Sequence, residues 1–486
     1  MPNAKPWTGV LDATKPGAIP LQPDRKTPSM IGGGNALVLN LWAPKEAKNA
    51  PVMLWIPGGG STRCDNNDPR FDGTAFAKDG IVLNYRVNVD GFLKLEDGDA
   101  DNGLRDMILG LEWVRDNIAA FGGDPKCVTV FGQSAGATHI TSLLASPKTK
   151  GLFRRAILQS PSAIAQWTNE EEARTATKRL ADFFGVAPTR EGFMSLTNEK
   201  LFTFGKFVGS LASDPEWLAF SHGNSALFKP YVDGEGLKAR PVDALLAGVE
   251  VIVGCTREEW RNYTVPSGAI DKIGPEATER LVRAMGWDAK LLDRYRAAGH
   301  GSTPGEIFTR IQGDLIFRMP ANRTLENLSK AGNRVWAYSF DWKSPVLGKS
   351  GKARGAAHSN DVAFVFHTLD SKPAIALNGP DAPTALADAM LKGYGGFDWE
   401  QAYEALKQSA MLGERGMDLR MKYGYIPCDL FNEAVAYDME YALADWAVAQ
   451  VAKELGKTAD YDYFLERSKS YRHFFDPQTR FMRGLD

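Results

Sequence analysis

The chain has no apolar run near the roughly 18 residues that a membrane-spanning helix needs. It has almost no charge imbalance: 57 Lys and Arg against 59 Asp and Glu leave −2, so nothing draws it to nucleic acid or to an anionic membrane surface. Cysteine is scarce. Cys64, Cys127, Cys255 and Cys428 are scattered with no C-x-x-C pair, which argues against zinc and reads most simply as free thiols in a reducing compartment. The opening residues, Met1 to Trp7, lack the apolar stretch of a secretion signal. A cytoplasmic location is therefore expected. Repeats and low-complexity tracts are also missing. What is there is ordinary for a globular protein: 44% hydrophobic and 24% charged residues in a chain of 486, enough for a large core.

Short apolar runs alternate with helical stretches over the first third. Ala36–Leu41, Pro51–Ile56, Ile81–Tyr85 and Val128–Phe131 read as strands. Leu104 to Ala120 reads as a helix, with Leu104, Ile108, Leu111, Val114 and Ile118 on one face. Ala137–Ser146 reads as a second helix. Such alternation predicts a mainly parallel sheet covered on both faces, an α/β fold. Leu246–Val253 and Val335–Phe340 add later strands, and Val362–Phe366 looks strand-like. The irregular middle, about 170–248, is helix-rich and would form a cap. From about residue 385 onward the pattern is helical.

Gly132-Gln133-Ser134-Ala135-Gly136 is a G-x-S-x-G pentapeptide. By itself it is most often an ordinary turn. Between a strand ending at Phe131 and a helix it has the context of a nucleophile elbow, which lifts a serine hydroxyl above the sheet at a helix N-terminus. Such a serine needs a base. Of six histidines, His139 follows Ser134 on its own helix and cannot sit over the hydroxyl. His222, His300 and His473 lie in polar stretches suited to surface residues. His358, in a loop late in the chain, stands where an α/β hydrolase places its base; His367 is the rival, more simply structural. The acid belongs between serine and histidine, after Val251–Gly254, where Glu258 and Glu259 are both available and position alone does not choose. Gly58-Gly59-Gly60, after a strand, would supply oxyanion N–H groups together with Ala135; the simpler reading of three glycines is a flexible turn.

Longer runs carry a resemblance. Asn117–Pro125 leads into Val128–Gly136, and Asn84-Tyr85-Arg86, Gly91-Phe92-Leu93 and Lys150–Ile157 accompany it. Over about residues 7–390 the chain resembles the type-B carboxylesterases, the family that includes cholinesterases. The resemblance implies an α/β-hydrolase fold with Ser134 as nucleophile, Glu259 as acid, His358 as base, and oxyanion donors at Gly59, Gly60 and Ala135. It implies no cofactor and no metal. There are departures. Pro57 replaces a His or Tyr before the glycines, Trp260 replaces a Gly after the acid, and Gly34, Asn35 and Ala36 stand in place of an acidic–Cys pair. The family's N-terminal hairpin has no counterpart.

The last hundred residues resemble something else. Lys422–Pro427, Glu433, Glu440-Tyr441-Ala442, Asp445-Trp446, Phe475-Asp476-Pro477 and Phe481–Gly484 are similar to a middle piece of the calcium-dependent α-mannosidases, without the stretches that carry that family's acid and base. The paired acids Glu433 and Glu440 more simply solvate or form salt bridges. The chain thus reads as two joined segments: an esterase domain over 1–390 and a small helical segment over 391–486. Ala385–Leu391 is expected to cover the sheet with Leu386, Met390 and Leu391, and the tail to form its own bundle around Tyr423, Tyr441, Trp446, Phe464 and Phe475.

The expected activity is hydrolysis of small-molecule carboxylic esters through an acyl-enzyme, with no nucleic-acid or membrane partner and the oligomeric state left open. A non-catalytic cholinesterase-like binding domain is the first alternative; the filled triad positions argue against it. A carbohydrate-active or sugar-binding role for the tail is the second. Phe204, Phe207, Trp217, Phe220 and Trp260 suggest an apolar acyl or alcohol site, although aromatics at helical spacing are more often core.

Overall fold

The computed structural model describes residues 9, 12–74, 80–98, 101–162, 169–211, 214–221, 226–243, 245, 247–284, 286–288, 290–369, 371–378, 387, 390–391, 398–411, 413, 416–431, 434–478 and 481–483. The chain divides into two compact units: residues 1–341 with 347–362, and residues 342–346 with 363–486.

The first unit is built on a seven-stranded sheet. Its strands are β1 (Leu39–Trp42), β2 (Ala50–Ile56), β3 (Gly80–Leu83), β4 (Gly123–Gln133), β5 (Arg155–Gln159), β6 (Glu250–Thr256) and β7 (Arg334–Phe340). They lie in the order β1-β3-β2-β4-β5-β6-β7. Only the β1–β3 pair is antiparallel. Leu54, Trp55 and Ile56 are consecutive, so their side chains alternate between faces, yet all three are fully buried; the sheet is therefore covered on both sides. Each such side chain contributes about 1.5–3 kcal/mol. This is the α/β-hydrolase arrangement expected from the strand and helix alternation.

The helices α1 (Asn102–Asn117) and α2 (Ala135–Ala145) fall where the periodicity places them, and Leu104, Ile108, Leu111 and Val114 of α1 are buried. Two elements differ from expectation. Arg155–Gln159 is a full member of the sheet, although its run is short and opens on a charged residue. Val362–Phe366 is helical, not a strand: an apolar run of five has no period of its own to decide between the two. The middle is helix-rich as expected. Its first helix, α3 (Glu170–Phe184), is capped by Asn169, whose side chain accepts from the Glu172 N–H. Phe204 and Trp217 are buried in the main core, and Phe207, Phe220 and Trp260 pack against it.

The second unit has its own core. Ala387 and Met390 pack with Tyr403 and Leu406 of α4 (Trp399–Ser409), Val448 and Val451 of α6 (Ala434–Glu454) and Phe464 of α7 (Thr458–Arg467); α5 (Met417–Tyr423) lies between α4 and α6 in the chain. Met390 thus belongs to the tail's core and not to the sheet, Leu391 is exposed, and Leu386 lies outside the described residues. Of the five aromatics expected at the centre of the bundle only Phe464 is buried; Tyr423, Trp446 and Phe475 are largely exposed. A charged cluster occupies the interior. Arg420 bonds Asp438 and Asp445, and Arg467 bonds Asp445. Both acids are thus paired with arginine, and among the described residues no group of three or more His, Cys, Asp or Glu could hold a metal. Glu440 is exposed and Glu433 lies outside the described residues. No described helix is long and apolar enough to cross a membrane.

Candidate active site

The parallel register brings the candidate residues out at one edge of the sheet. Gln133, at the end of β4, pairs with Gln159 of β5, which pairs with Gly254 of β6. The Ser134 N–H donates to the Gln159 carbonyl at 2.9 Å, and the Ser160 N–H to the Gly254 carbonyl at 2.7 Å. Ser134 itself has φ 58° and ψ −127°, a strained conformation for a residue with a Cβ. The turn is tight because α2 crosses the end of β2: a Cβ on Gly136 would lie 2.0 Å from the Ile56 carbonyl oxygen. Ser134 and Ala135 are half-buried at the head of α2.

Glu259 is buried and fully committed. Its Oε2 takes the His358 Nδ1 hydrogen at 2.5 Å, while Oε1 accepts from the Ser160 hydroxyl at 2.6 Å and the Thr256 N–H at 2.8 Å. Its carbonyl accepts the His358 N–H at 3.2 Å. Of the two candidate acids, this one meets the imidazole. Glu258 is not a freely solvated charge either. It is half-buried, accepts the Ala356 N–H at 3.0 Å and returns its own N–H to the Ala356 carbonyl. It fastens the loop that carries His358.

His358 lies against aromatic faces, 4.4 Å from the Phe317 ring and 5.9 Å from that of Tyr263. With Nδ1–H given to Glu259, Nε2 is left as an acceptor, the form a general base needs. The Gln133 carboxamide lies 3.0 Å from it, and its Oε1 accepts from the Ser359 hydroxyl at 3.1 Å. The Ser134 hydroxyl makes no hydrogen bond among the described residues. Hydrogen bonds of a catalytic serine are often long or unformed before substrate enters.

The glycine loop borders Ser134. A Cβ on Gly58 would stand 3.1 Å from the Ser134 Cβ and 2.6 Å from the Gln133 carbonyl oxygen, so only glycine fits. Gly59 and Gly60 take φ values of 135° and 63°. The Gly59 carbonyl accepts from the Thr62 and Arg63 N–H groups, closing a tight turn rather than a flexible one. Pro57 stiffens its entry, and its carbonyl is held by the Tyr85 hydroxyl at 2.7 Å. His139, as expected, is buried away from Ser134, and His300 is exposed. His222 lies outside the described residues.

Three residues near Ser134, Glu259 and His358 escaped the sequence reading. Gln133 occupies the free position of G-x-S-x-G, so its type carried no signal. Ser160 follows the strand that was not recognised. Asp361 lies three residues after His358, buried beside Glu259. It accepts from Gln159 Nε2 at 2.8 Å and from the Tyr338 hydroxyl at 3.4 Å. Burial, with the Glu259 charge beside it, pushes its pKa up to about 6 against the opposing effect of the Gln159 hydrogen bond.

These elements agree with what the whole chain is similar to. Residues 1–377 match the Carboxylesterase family, and residues 369–486 give a partial match to the glycosyl hydrolase family 92 catalytic domain. Phenmedipham hydrolase of Pseudarthrobacter oxydans is 32% identical over 403 residues, covering 79% of this chain and 79% of that protein. Para-nitrobenzyl esterase of Bacillus subtilis is 34% identical over 388 residues, covering 75% and 74%. A solved carboxylesterase of Geobacillus stearothermophilus superposes with a TM-score of 0.63 at 29% identity, covering 88% of this chain and 84% of that one. This chain belongs to the carboxylesterase family, its last segment excepted.

Proposed function

We propose that the chain hydrolyses small-molecule carboxylic esters through an acyl-enzyme formed on Ser134. The observation that carries this reading is the buried clamp on Glu259: two donors hold one carboxylate oxygen, so the other is fixed on His358 Nδ1. That bond sets the tautomer and steadies the imidazolium that forms during attack. The Ser134 hydroxyl adds to the acyl carbon as His358 Nε2 takes its proton, and the Gln133 carboxamide swings aside to free that lone pair. Gly59, Gly60 and Ala135 N–H groups receive the oxyanion. His358 then returns the proton to the leaving alcohol, and water repeats the sequence to release the acid. Similarity to an enzyme named for para-nitrobenzyl esters recommends an aryl-bearing ester as first substrate. A panel of nitrophenyl and nitrobenzyl esters, with a phosphonylating inhibitor and peptide mass mapping, tests it. Turnover with the added mass on Ser134 is expected; turnover with the mass elsewhere, or no turnover, refutes it.

A further inference from the structure

The loop Pro57–Gly60 has no side chains beyond the Pro57 ring, yet its N–H groups can stabilise an oxyanion only if they are fixed beforehand. Its start is held by Tyr85. Its end is Ser61, which sits in left-handed backbone at φ 57° and needs support to stay there. Two bonds supply it. The Asn88 N–H donates to the Ser61 carbonyl at 2.7 Å. A buried hydrogen bond of 3.1 Å links the Ser61 hydroxyl to His139 Nε2.

His139 is on α2, the helix that Ser134 opens, and is 1% exposed. Its ring stacks on Phe92 at 4.9 Å with 4° between planes and meets Tyr85 edge-on at 5.4 Å. Its Nδ1 is buried with no hydrogen-bond partner among the described residues. A residue present only to fill space would not carry that orphaned nitrogen, since an aliphatic or phenyl side chain fills the same volume without it. The bond to Ser61 is what an imidazole adds. Burial drives its pKa down to about 3, so the ring stays neutral wherever the enzyme would work.

We propose that His139 is a positioning residue for the oxyanion loop: through Ser61 it ties the loop's far end to the helix that carries Ser134, fixing the spacing between oxyanion donors and nucleophile. The proposal rests on the function assigned above. A shift of about 1 Å in such a group costs on the order of 10²-fold in rate.

His139→Phe keeps the stack on Phe92 and deletes Nε2; Ser61→Ala deletes the other end of the bond. Both variants and the double variant are compared with the full wild-type chain by thermal unfolding, phosphonate titration of Ser134, nitrophenyl acetate kinetics and affinity for a trifluoromethyl ketone, whose adduct places an oxyanion in the same donors. Folded variants are expected to lose about 10- to 100-fold in kcat with KM changed by less than about threefold, and to lose ketone affinity in parallel. The double variant is expected to be no worse than either single one, and His139→Gln, whose carboxamide can reach Ser61, to recover part of the loss. If His139→Phe does not fold, Ser61→Ala carries the test. Unchanged kcat, unchanged ketone affinity or additive losses overturn the proposal while titratable Ser134 leaves the ester-hydrolase reading standing. A wild-type Ser134 that takes no phosphonate overturns both.

Discussion

Glu259→Gln removes one charge and reverses one donor, and the surroundings determine the outcome. One carboxylate oxygen faces two donors, the Ser160 hydroxyl and the Thr256 N–H. A carboxamide must keep its oxygen there, because its NH₂ would oppose the Thr256 N–H, which can only donate. Its nitrogen is then forced onto His358 Nδ1, which must become an acceptor. The ring takes the other tautomer, with hydrogen on Nε2, and can no longer accept the Ser134 proton. The new Nε2–H also points at the Gln133 carboxamide nitrogen, 3.0 Å away, so that side chain must turn. The expected loss in kcat is about 10⁴-fold, the size of the corresponding change in a serine protease triad, or about 5.5 kcal/mol of activation free energy. The assay is kcat/KM on nitrophenyl acetate from pH 6 to 9, with far-UV circular dichroism confirming the fold. Glu258→Gln is the control. Its oxygen can still accept the Ala356 N–H, so a loss of less than about tenfold is expected, since the residue acts only through the loop. If Glu259→Gln keeps more than about a tenth of wild-type kcat while folded, tautomer control is not what Glu259 does and the reasoning fails.

Ser134→Ala is expected to cut ester turnover by about 10⁴-fold or more and to abolish phosphonate labelling; residual turnover with label on another serine refutes the assignment. Asp361→Asn tests the second buried carboxyl. A folded pKa raised to about 6 means the protonated form is favoured by folding. That contribution is complete below the unfolded value and is lost as pH rises through 6. The variant's stability relative to wild type should therefore grow between about pH 4 and 6.5, by a few kcal/mol at most, as urea titrations at pH 5 and 7.5 would show. A constant difference across that range refutes the shift. Arg420→Ala leaves Asp438 and Asp445 buried without their shared partner, and calorimetry should show the tail destabilised by about 3–5 kcal/mol; a shift below about 1 kcal/mol would mean the cluster relaxes or hydrates.

Most of the sheet was legible because buried strands between turn residues repeat a simple pattern. Ser134 and the glycine loop were legible because their φ values demand glycine neighbours, and that demand is written in residue type. What was not legible depends on register. Nothing local says that Gln159 will lie beside Gln133, or that Ser160 will thereby face Glu259. Position alone could not choose Glu259 over Glu258 for the same reason, since adjacent residues on a turn differ only in direction; the family resemblance made that choice. The tail misled for another reason. Three of the five aromatics expected at its core are exposed, and much of the interior went to alanines, valines and an arginine–aspartate cluster, whose pairing across α5, α6 and α7 leaves no mark in periodicity.

Four serines, Ser61, Ser134, Ser160 and Ser359, have positive φ, between 54° and 71°, and all four stand around the site. At each of them the backbone would be easier for glycine, by something like 1–3 kcal/mol if the full cost of a strained position is recovered. At each of them the hydroxyl has work that glycine cannot do: one would attack the substrate, one meets His139, one holds Glu259 and one holds Gln133. A search for heat-tolerant variants should therefore find Ser→Gly replacements at these places that raise the melting temperature and silence the enzyme. Selection for stability alone would erode this site from within.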